Sequence, residues 1–203
     1  MKKRILLLTT GGTIASRQTA EGLAPGLDGS GLAHYLGGLM DSYDVTVRDI
    51  LHLDSSNIQP EEWRLIAQRV YEAYPHFDGI VITHGTDTMA YTASVLSYML
   101  LGIPIPVVLT GAQLPIEHPL SDGPDNLRTA FAMAASGRGG VFLAFDRKII
   151  LGCRAVKTHT TNFKAFDSVN YPLVGQVSGA GLTLRESAIP VHGGPCLLRD
   201  SLC

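Results

Sequence analysis

Cysteine, long apolar runs and an excess of either charge are all scarce in this sequence. Three of the 203 residues are cysteines, Cys153, Cys196 and Cys203, and they form no C-x-x-C pair. The sequence therefore offers no disulfide framework and favours a reducing compartment. In the opening "MKKRILLLTTGG", the run Ile5–Leu8 is shorter than the apolar part of a signal peptide. Since no other run is long enough to cross a bilayer, we expect a cytoplasmic protein without membrane contact.

The charge balance also limits the choice of ligand. The chain has 16 Lys and Arg residues against 18 Asp and Glu, a formal charge of -2, and no basic stripe. This excludes a typical nucleic-acid surface. The seven histidines show no H-E-x-x-H spacing, so we expect no metal and no cofactor, with His84 and His159 as hydrogen-bonded neighbours of a site. A small neutral or zwitterionic ligand fits this composition.

Strands and helices alternate along the chain. The candidate strands are Arg4–Thr9, Asp44–Leu51, Gly79–Thr83, Ile105–Thr110 and Gly140–Phe145. The clearest helix is "PEEWRLIAQRVYEAY", in which Pro60 suits the first turn and apolar residues recur along one face. Further helices are expected near Ser30–Met40, over Thr88–Leu101 and over Asp125–Ala135. The pattern predicts an α/β fold of three layers, a mostly parallel sheet with helices on both faces.

The last part of the sequence differs from the rest. After "SVNYPLVG" it becomes glycine-rich and weakly patterned. We therefore expect one α/β domain over residues 1–175 and a hairpin or linker tail over residues 176–203. That tail would lead towards a second domain that the chain lacks.

Four predicted strands end in short polar or glycine-rich segments. These are "TTGGT" at 9–13, "DSSN" at 54–57, "HGTDT" at 84–88 and "TGAQ" at 110–113. The carboxyl ends of parallel strands lie along one edge of a sheet, where ligands bind. The four segments therefore predict one site at that edge.

The chemistry of this edge rests on hydroxyl groups and one carboxylate, Asp87. The hydroxyl groups belong to Thr13, Ser56, Thr86 and Thr88. A threonine hydroxyl is a weak nucleophile unless a base or a cation activates it. Lys157 could do so if the chain folds back to this edge; otherwise it is a solvated lysine. Thr86 and Asp87 could also simply cap the following helix. "GGT" lacks the Gly-Lys-Ser/Thr of a phosphate loop, which disfavours a nucleotide.

Several long motifs together resemble the asparaginase/glutaminase family. They are "LLLTTGGTIAS", "HLDSSNIQPEEW", "GIVITHGTDTMAYTA", "VVLTGAQLP", "SDGPDNLRTA" and "GCRAVKTHTTNFKAFDSVNYPLVG". The resemblance covers roughly residues 3–175 and is to the amino-terminal domain of bacterial-type L-asparaginases. It implies the asparaginase amino-terminal α/β fold and a hydrolase acting on linear amides.

The resemblance also implies catalytic roles. Thr13 matches the family's first catalytic threonine, which attacks the side-chain carboxamide carbon to give an acyl-enzyme and ammonia. Thr86, Asp87 and Lys157 match the second catalytic group, in which the lysine and the aspartate orient and activate the hydroxyl. A nearby ammonium stabilises a developing alkoxide.

Substrate contacts are implied in the same way. Ser56 and Asn57 stand where the family binds the α-carboxylate and the α-amine, and Asp87 is also expected to receive the amine. Backbone groups around Gly12, Thr13, Thr86 and Ala112 would supply the oxyanion and carboxamide contacts.

The sequence departs from the family at the flap that follows the first motif. The segment "IASRQTAEGLAPGLDGSGLAH" contains no tyrosine, and Leu23 sits about where the family's activating tyrosine would fall. Tyr35 is the nearest tyrosine, and Glu21 is another candidate activator. The glycines in Ser16–Ser30 suit a flexible lid.

We therefore expect an L-asparagine amidohydrolase that releases L-aspartate and ammonia, assembles as a homo-oligomer and has an L-asparagine site. Glutamine is a less favoured substrate. Two alternatives remain: the asparaginase-like subunit of a tRNA-dependent amidotransferase, and a non-catalytic amino-acid-binding module with an incomplete site.

Overall fold

A computed structural model describes residues 1–19, 22–191 and 193–199 of the chain. Its strands are β1 (Arg4–Gly11), β2 (Ser16–Thr19), β3 (Gly22–Pro25), β4 (Asp44–Leu53), β5 (Gly79–Thr83), β6 (Leu100–Leu101), β7 (Pro106–Thr110), β8 (Gly140–Phe145), β9 (Lys148–Leu151), β10 (Ala155–Lys157), β11 (Phe166–Ser168), β12 (Gly175–Ser178), β13 (Gly181–Leu184) and β14 (Leu197–Leu198). Its helices are α1 (Gly29–His34), α2 (Gly37–Ser42), α3 (Pro60–Ala73), α4 (Met89–Met99) and α5 (Gly123–Ala134).

The main sheet has eight strands in the order β13-β12-β9-β8-β7-β5-β1-β4. Strands β4, β1, β5, β7 and β8 run parallel, and β9, β12 and β13 continue the sheet through antiparallel pairs. Because β1 lies between β4 and β5, the winding of the chain reverses between β1 and β5. Such a reversal opens a crevice at the carboxyl ends of the two strands, where open α/β sheets bind ligands.

The strands bury alternate side chains in two layers. Leu6 and Leu8 of β1 pack in one core with α3 and α4, whereas Ile5 and Leu7 face a second core with α5. Strands covered on both faces read as continuous apolar runs, which is why β1, β5, β7 and β8 were recognisable in the sequence. The three-layer α/β fold with a mostly parallel sheet is confirmed.

Some predicted elements have different bounds. The helix expected near Ser30–Met40 is two short helices, α1 and α2, and Gly37 at the start of α2 has a positive φ of 30°. The helix expected over Thr88–Leu101 begins at Met89 and ends at Met99. Strands β12 and β13 form a hairpin that begins at Gly175, at the expected boundary of the tail, and this hairpin extends the main sheet.

The segment expected to be a lid forms an antiparallel hairpin in part. Strand β2 pairs with β3, from Ser16 opposite Pro25 to Thr19 opposite Gly22. Glu21, a candidate activator, lies outside the described residues, as do Cys203 and the rest of 200–203. In the part of the chain that the structure describes, no helix is long and apolar enough to span a bilayer.

Candidate active site

Glycines bring the ends of β1, β4 and β5 into direct contact. Gly12 follows β1 with a φ of 84°, and a Cβ atom there would lie 2.5 Å from the backbone nitrogen of Gly85. A Cβ atom on Gly85 would lie 2.5 Å from the Ser55 hydroxyl, which follows β4. Only glycine allows both the positive φ and this close approach. Three of the four predicted strand-end segments are therefore stacked against each other.

A cavity of about 150 Å³ opens at this junction. Its lining includes Gly12 and Thr13 after β1, Asp54 and Ser55 after β4, and Thr86 and Asp87 after β5. The cavity is smaller than the pockets that hold drug-sized molecules. Its size and its polar groups suit a small polar substrate.

Lys157 reaches the cavity wall from β10. Its Nζ atom donates to Thr86 Oγ1 at 2.9 Å and to Asp87 Oδ1 at 2.7 Å. The Lys157 side chain is 14 % exposed and that of Asp87 is 65 % exposed. The structure therefore joins the three predicted residues across about 70 positions of sequence, and Lys157 is not a solvated lysine. The pairing with Asp87 keeps a positive charge beside the Thr86 hydroxyl.

The helix-capping alternative does not account for Thr86 and Asp87. Helix α4 is preceded by Thr88, whose side chain makes no capping hydrogen bond. The Thr88 hydroxyl instead donates to Ser55 O at 2.7 Å, which ties the ends of β4 and β5 together. The side chains of Thr86 and Asp87 are held by Lys157.

Gln113, at the end of the "TGAQ" segment, connects the site to the loop that follows Lys157. Its Nε2 atom donates to Thr160 O and to Asn162 O, both at 3.0 Å, and its Oε1 lies 3.3 Å from Thr86 Oγ1. Its backbone N–H donates to Asp122 at 3.0 Å. The sequence marked this segment as part of the site but gave no role to the Gln113 side chain.

Thr13 lies on the cavity wall in the short 3-10 turn after β1. Within the described part of the chain, the Lys157 ammonium bonds to Thr86 and Asp87 and not to the Thr13 hydroxyl. Tyr35 is not placed to activate Thr13, because its hydroxyl lies 3.5 Å from Glu117 and it does not line this cavity. Thr13 therefore lies on the same cavity as Thr86 and Asp87. Lys157 makes no hydrogen bond to the Thr13 hydroxyl in the described part of the chain.

Only some of the predicted substrate-binding residues line the cavity. Gly12, Thr86 and Asp87 line the cavity, whereas Ser56 and Asn57 are exposed beside it and Ala112 is buried outside its lining. Asp54 and Ser55, which the sequence did not single out, line it instead. The signal for them was present, because both belong to the "DSSN" segment.

Asp54 adds a second carboxylate to the cavity wall. Its Oδ1 accepts hydrogen bonds from the backbone N–H of Ser56 at 2.9 Å and from the Ser56 hydroxyl at 2.8 Å. These bonds, the backbone one first, hold the pKa of the Asp54 carboxyl below its ordinary value. Among the described residues, no three His, Cys, Asp or Glu side chains come together to hold a metal ion. The cavity wall therefore carries two carboxylates, those of Asp54 and Asp87.

Comparison with known proteins gives consistent matches. The family described as "Asparaginase, N-terminal" matches residues 4–190. An L-asparaginase from Thermococcus kodakarensis is 47 % identical over 194 residues, which are 95 % of this chain and 59 % of that protein. The solved structure of the thermostable L-asparaginase from that organism superposes with a TM-score of 0.90 at 46 % identity, covering 97 % of this chain and 60 % of that one.

A relative with a different name also matches. A glutamyl-tRNA(Gln) amidotransferase subunit from Thermoplasma acidophilum is 33 % identical over 186 residues, 88 % of this chain and 46 % of that protein. The chain thus spans about 46 to 60 % of the length of these relatives. On the family match over residues 4–190, this chain belongs to the asparaginase family, to whose amino-terminal domain it corresponds.

Proposed function

We propose that this chain carries the catalytic centre of an L-asparagine amidohydrolase, which releases L-aspartate and ammonia. The observation that carries the proposal is the Thr86–Lys157–Asp87 cluster, in which Lys157 holds two residues that line one small cavity together with Thr13. Nucleophilic amide hydrolysis needs a hydroxyl, a cation that stabilises developing negative charge, and a carboxylate that holds the cation in place. The strand ends at the sheet reversal, together with Lys157, supply all three.

In the first half of the proposed reaction, the Thr13 oxygen attacks the carboxamide carbon of asparagine. The Thr13 proton passes to the leaving nitrogen, the C–N bond breaks, and ammonia leaves a β-aspartyl ester on Thr13. In the second half, water adds to the ester carbon and the ester C–O bond breaks. L-aspartate leaves, and the proton returns to the Thr13 oxygen. No cofactor is consumed in either half.

The Lys157 group supports this chemistry by charge and position. The Lys157 ammonium, held by Asp87 at 2.7 Å and bonded to Thr86 at 2.9 Å, polarises the Thr86 hydroxyl on the cavity wall. Removing a donor of this kind typically costs about two to three powers of ten in kcat. We assign removal of the Thr13 proton to the lid segment of residues 16–30, which contains the candidate Glu21.

The carboxylates suit the substrate's α-amine. Asp87 is 65 % exposed, and Lys157 bonds to only one of its two carboxylate oxygens. Asp54 lies on the same wall. We assign the amine to these two groups. Ser56 and Asn57, which are exposed beside the cavity, are assigned to the α-carboxylate and the α-amine, as the family resemblance implies.

The length of this chain relative to its relatives motivates a proposal about assembly. The relatives are longer, and this chain covers 59 % of the Thermococcus kodakarensis L-asparaginase. We propose that residues 1–175 form the catalytic unit, that the tail leads towards a second domain, and that the site is completed in a homo-oligomer.

The amidotransferase alternative has support of its own in the 33 % identity to the Thermoplasma acidophilum protein. The name of that relative assigns it to an enzyme acting on glutamyl-tRNA. The 47 % identity to an L-asparaginase favours the hydrolase. Ammonia release measured with and without glutamyl-tRNA separates the two, since a dedicated amidotransferase subunit would depend on that acceptor.

Binding and turnover should be measured side by side on the purified chain. Calorimetric titration with L-asparagine reports occupancy of the cavity, and a coupled ammonia assay reports hydrolysis. We expect both, with L-glutamine turned over more slowly. Asparagine binding without ammonia release would establish the non-catalytic module instead.

A further inference from the structure

A buried histidine at the end of β5 is left without a role by the proposed reaction. His84 directly follows β5 and is 0 % exposed. Its Nδ1 atom lies 2.7 Å from Gly85 O, and its Nε2 atom lies 2.9 Å from Thr92 Oγ1. Thr92 Oγ1 in turn accepts from Trp63 Nε1 at 2.9 Å. One chain of hydrogen bonds thus runs from α3 through α4 to the cavity wall.

The chemistry of the end groups fixes every proton in this chain of hydrogen bonds. The indole of Trp63 can only donate, so the Thr92 oxygen accepts there. The carbonyl of Gly85 can only accept, so the proton of a neutral His84 ring sits on Nδ1. Nε2 is then an acceptor, and the Thr92 hydroxyl donates its single proton to it. Burial lowers the pKa of His84 to about 4, which keeps the ring neutral near pH 7.

The bond to Gly85 sets the orientation of the next peptide unit. In a planar trans peptide the C=O and the N–H point in opposite directions. With the Gly85 carbonyl turned towards His84, the Thr86 N–H is turned the other way. Gly85 and Thr86 both line the cavity, and the backbone hydrogen bonds of the described residues leave the Thr86 N–H unused.

We propose that His84 is a positioning residue, which holds the Gly85–Thr86 peptide so that the Thr86 N–H donates to the substrate's carboxamide oxygen. The inference rests on the proposed amide hydrolysis, because it names the group that orients one oxyanion donor of that reaction. His84 does not touch the substrate. It acts through Gly85, and Thr92 and Trp63 lock its ring.

The effect falls on the transition state more than on substrate binding. The carboxamide oxygen gains negative charge only as the Thr13 ester forms, so a well-aimed N–H is worth most at that moment. Losing such a donor costs about two to three powers of ten in kcat. A misaimed donor keeps part of that value, so we expect a loss on the order of tenfold when the ring is unlocked.

Thr92→Val removes the hydrogen bond between Thr92 and His84 Nε2 and leaves His84 itself unchanged. Valine keeps the shape of threonine and removes the hydroxyl that holds Nε2. Thr92→Ser keeps a hydroxyl at this position and should therefore keep kcat near the parent value. The matched control is Thr129→Val, because Thr129 is also a buried helical threonine, but its hydroxyl donates to Asp125 O on α5. We expect Thr92→Val to lower kcat on the order of tenfold with KM changed less than about twofold, and Thr129→Val to leave kcat nearly unchanged.

Nuclear magnetic resonance separates this inference from the proposed reaction. In the parent protein the imidazole nitrogens should report a proton on Nδ1 and a bare Nε2, and the Thr86 amide should shift when L-aspartate is added. Thr92→Val should weaken that amide response. A parent that shows all of this but releases no ammonia refutes the hydrolase and not the positioning. A parent ring protonated on Nε2, or a Thr92→Val protein with parent kcat and parent Thr86 response, overturns the role of His84.

Discussion

Acid should destabilise the fold through His84 over a defined pH window. The pKa of His84 is lowered from 6.5 to about 4, first by burial, which the hydrogen bond to Gly85 only partly opposes. Its folded pKa is therefore below its unfolded pKa, and the unfolded state binds the proton more readily. Stability from this group is complete above about pH 6.5 and is lost progressively as the pH falls towards 4.

The magnitude follows from the size of the shift. One pKa unit corresponds to about 1.36 kcal/mol, so a shift from 6.5 to about 4 corresponds to about 3 kcal/mol. That is a large fraction of the roughly 5–15 kcal/mol that stabilises a typical domain. Because carboxylates also contribute to acid unfolding, the effect of His84 is read as a difference between the parent and a variant.

Urea unfolding at a series of pH values between about 7 and 4 measures this difference. Trp63 is the single tryptophan and contacts the network, so its fluorescence follows the transition. We expect the free energy of unfolding of the parent to fall by about 3 kcal/mol more than that of His84→Asn, which cannot titrate here. His76→Asn, at an exposed histidine, should follow the parent. Parallel curves for the parent and His84→Asn would refute the assignment of this acid sensitivity to His84.

Three further predictions concern residues in and around the cavity. Lys157→Met and Thr86→Val should each lower kcat on the order of a hundredfold and together little more, because the two groups act as one; fully multiplicative losses in ammonia assays would contradict the coupling. Gly12→Ala should lose at least about 1–3 kcal/mol of unfolding free energy, since its φ is 84° and the added Cβ meets backbone at 2.5 Å; an unchanged urea midpoint would contradict that contact. Gln113→Leu removes the two hydrogen bonds that Gln113 Nε2 donates to the loop, worth about 2 kcal/mol together. Hydrogen exchange at Asn162 and its neighbours should therefore quicken on the order of thirtyfold, and unchanged exchange would show that other contacts hold the loop.

The sequence predicted the parallel core of the sheet well, for a physical reason. Strands such as Gly79–Thr83 are buried on both faces, so every residue is apolar or small and the run is recognisable without a structure. The short strands β9, β10 and β11 were missed. Strand β10 has three residues, half-buried, and pairs only with β11 in the described part of the chain. Such a strand is specified by its partner and leaves no periodic signal of its own.

The site was predictable in its parts but not in its contacts. Thr13, Thr86 and Asp87 stand directly after strands whose ends must meet at one edge of the sheet. Lys157 could be placed beside them only through the family resemblance, because β10 lies outside the main sheet. The "DSSN" segment indicated the site, but its sequence does not show which of its side chains line the cavity, so Asp54 was not predicted. The backbone conformation of the turn after β4 determines which of these side chains face the cavity.

Ammonia release from L-asparagine by the parent, Thr13→Ser and Thr13→Val tests the role of Thr13 as the nucleophile most directly. Serine keeps a hydroxyl at the cavity wall, whereas valine keeps the shape of threonine and removes the nucleophile. Circular dichroism and L-aspartate binding establish that each variant is folded with an open site. We expect turnover by the parent, reduced turnover by Thr13→Ser, and a loss of at least about three powers of ten in Thr13→Val. A folded Thr13→Val protein that binds L-aspartate and releases ammonia at the parent rate would contradict the proposed mechanism.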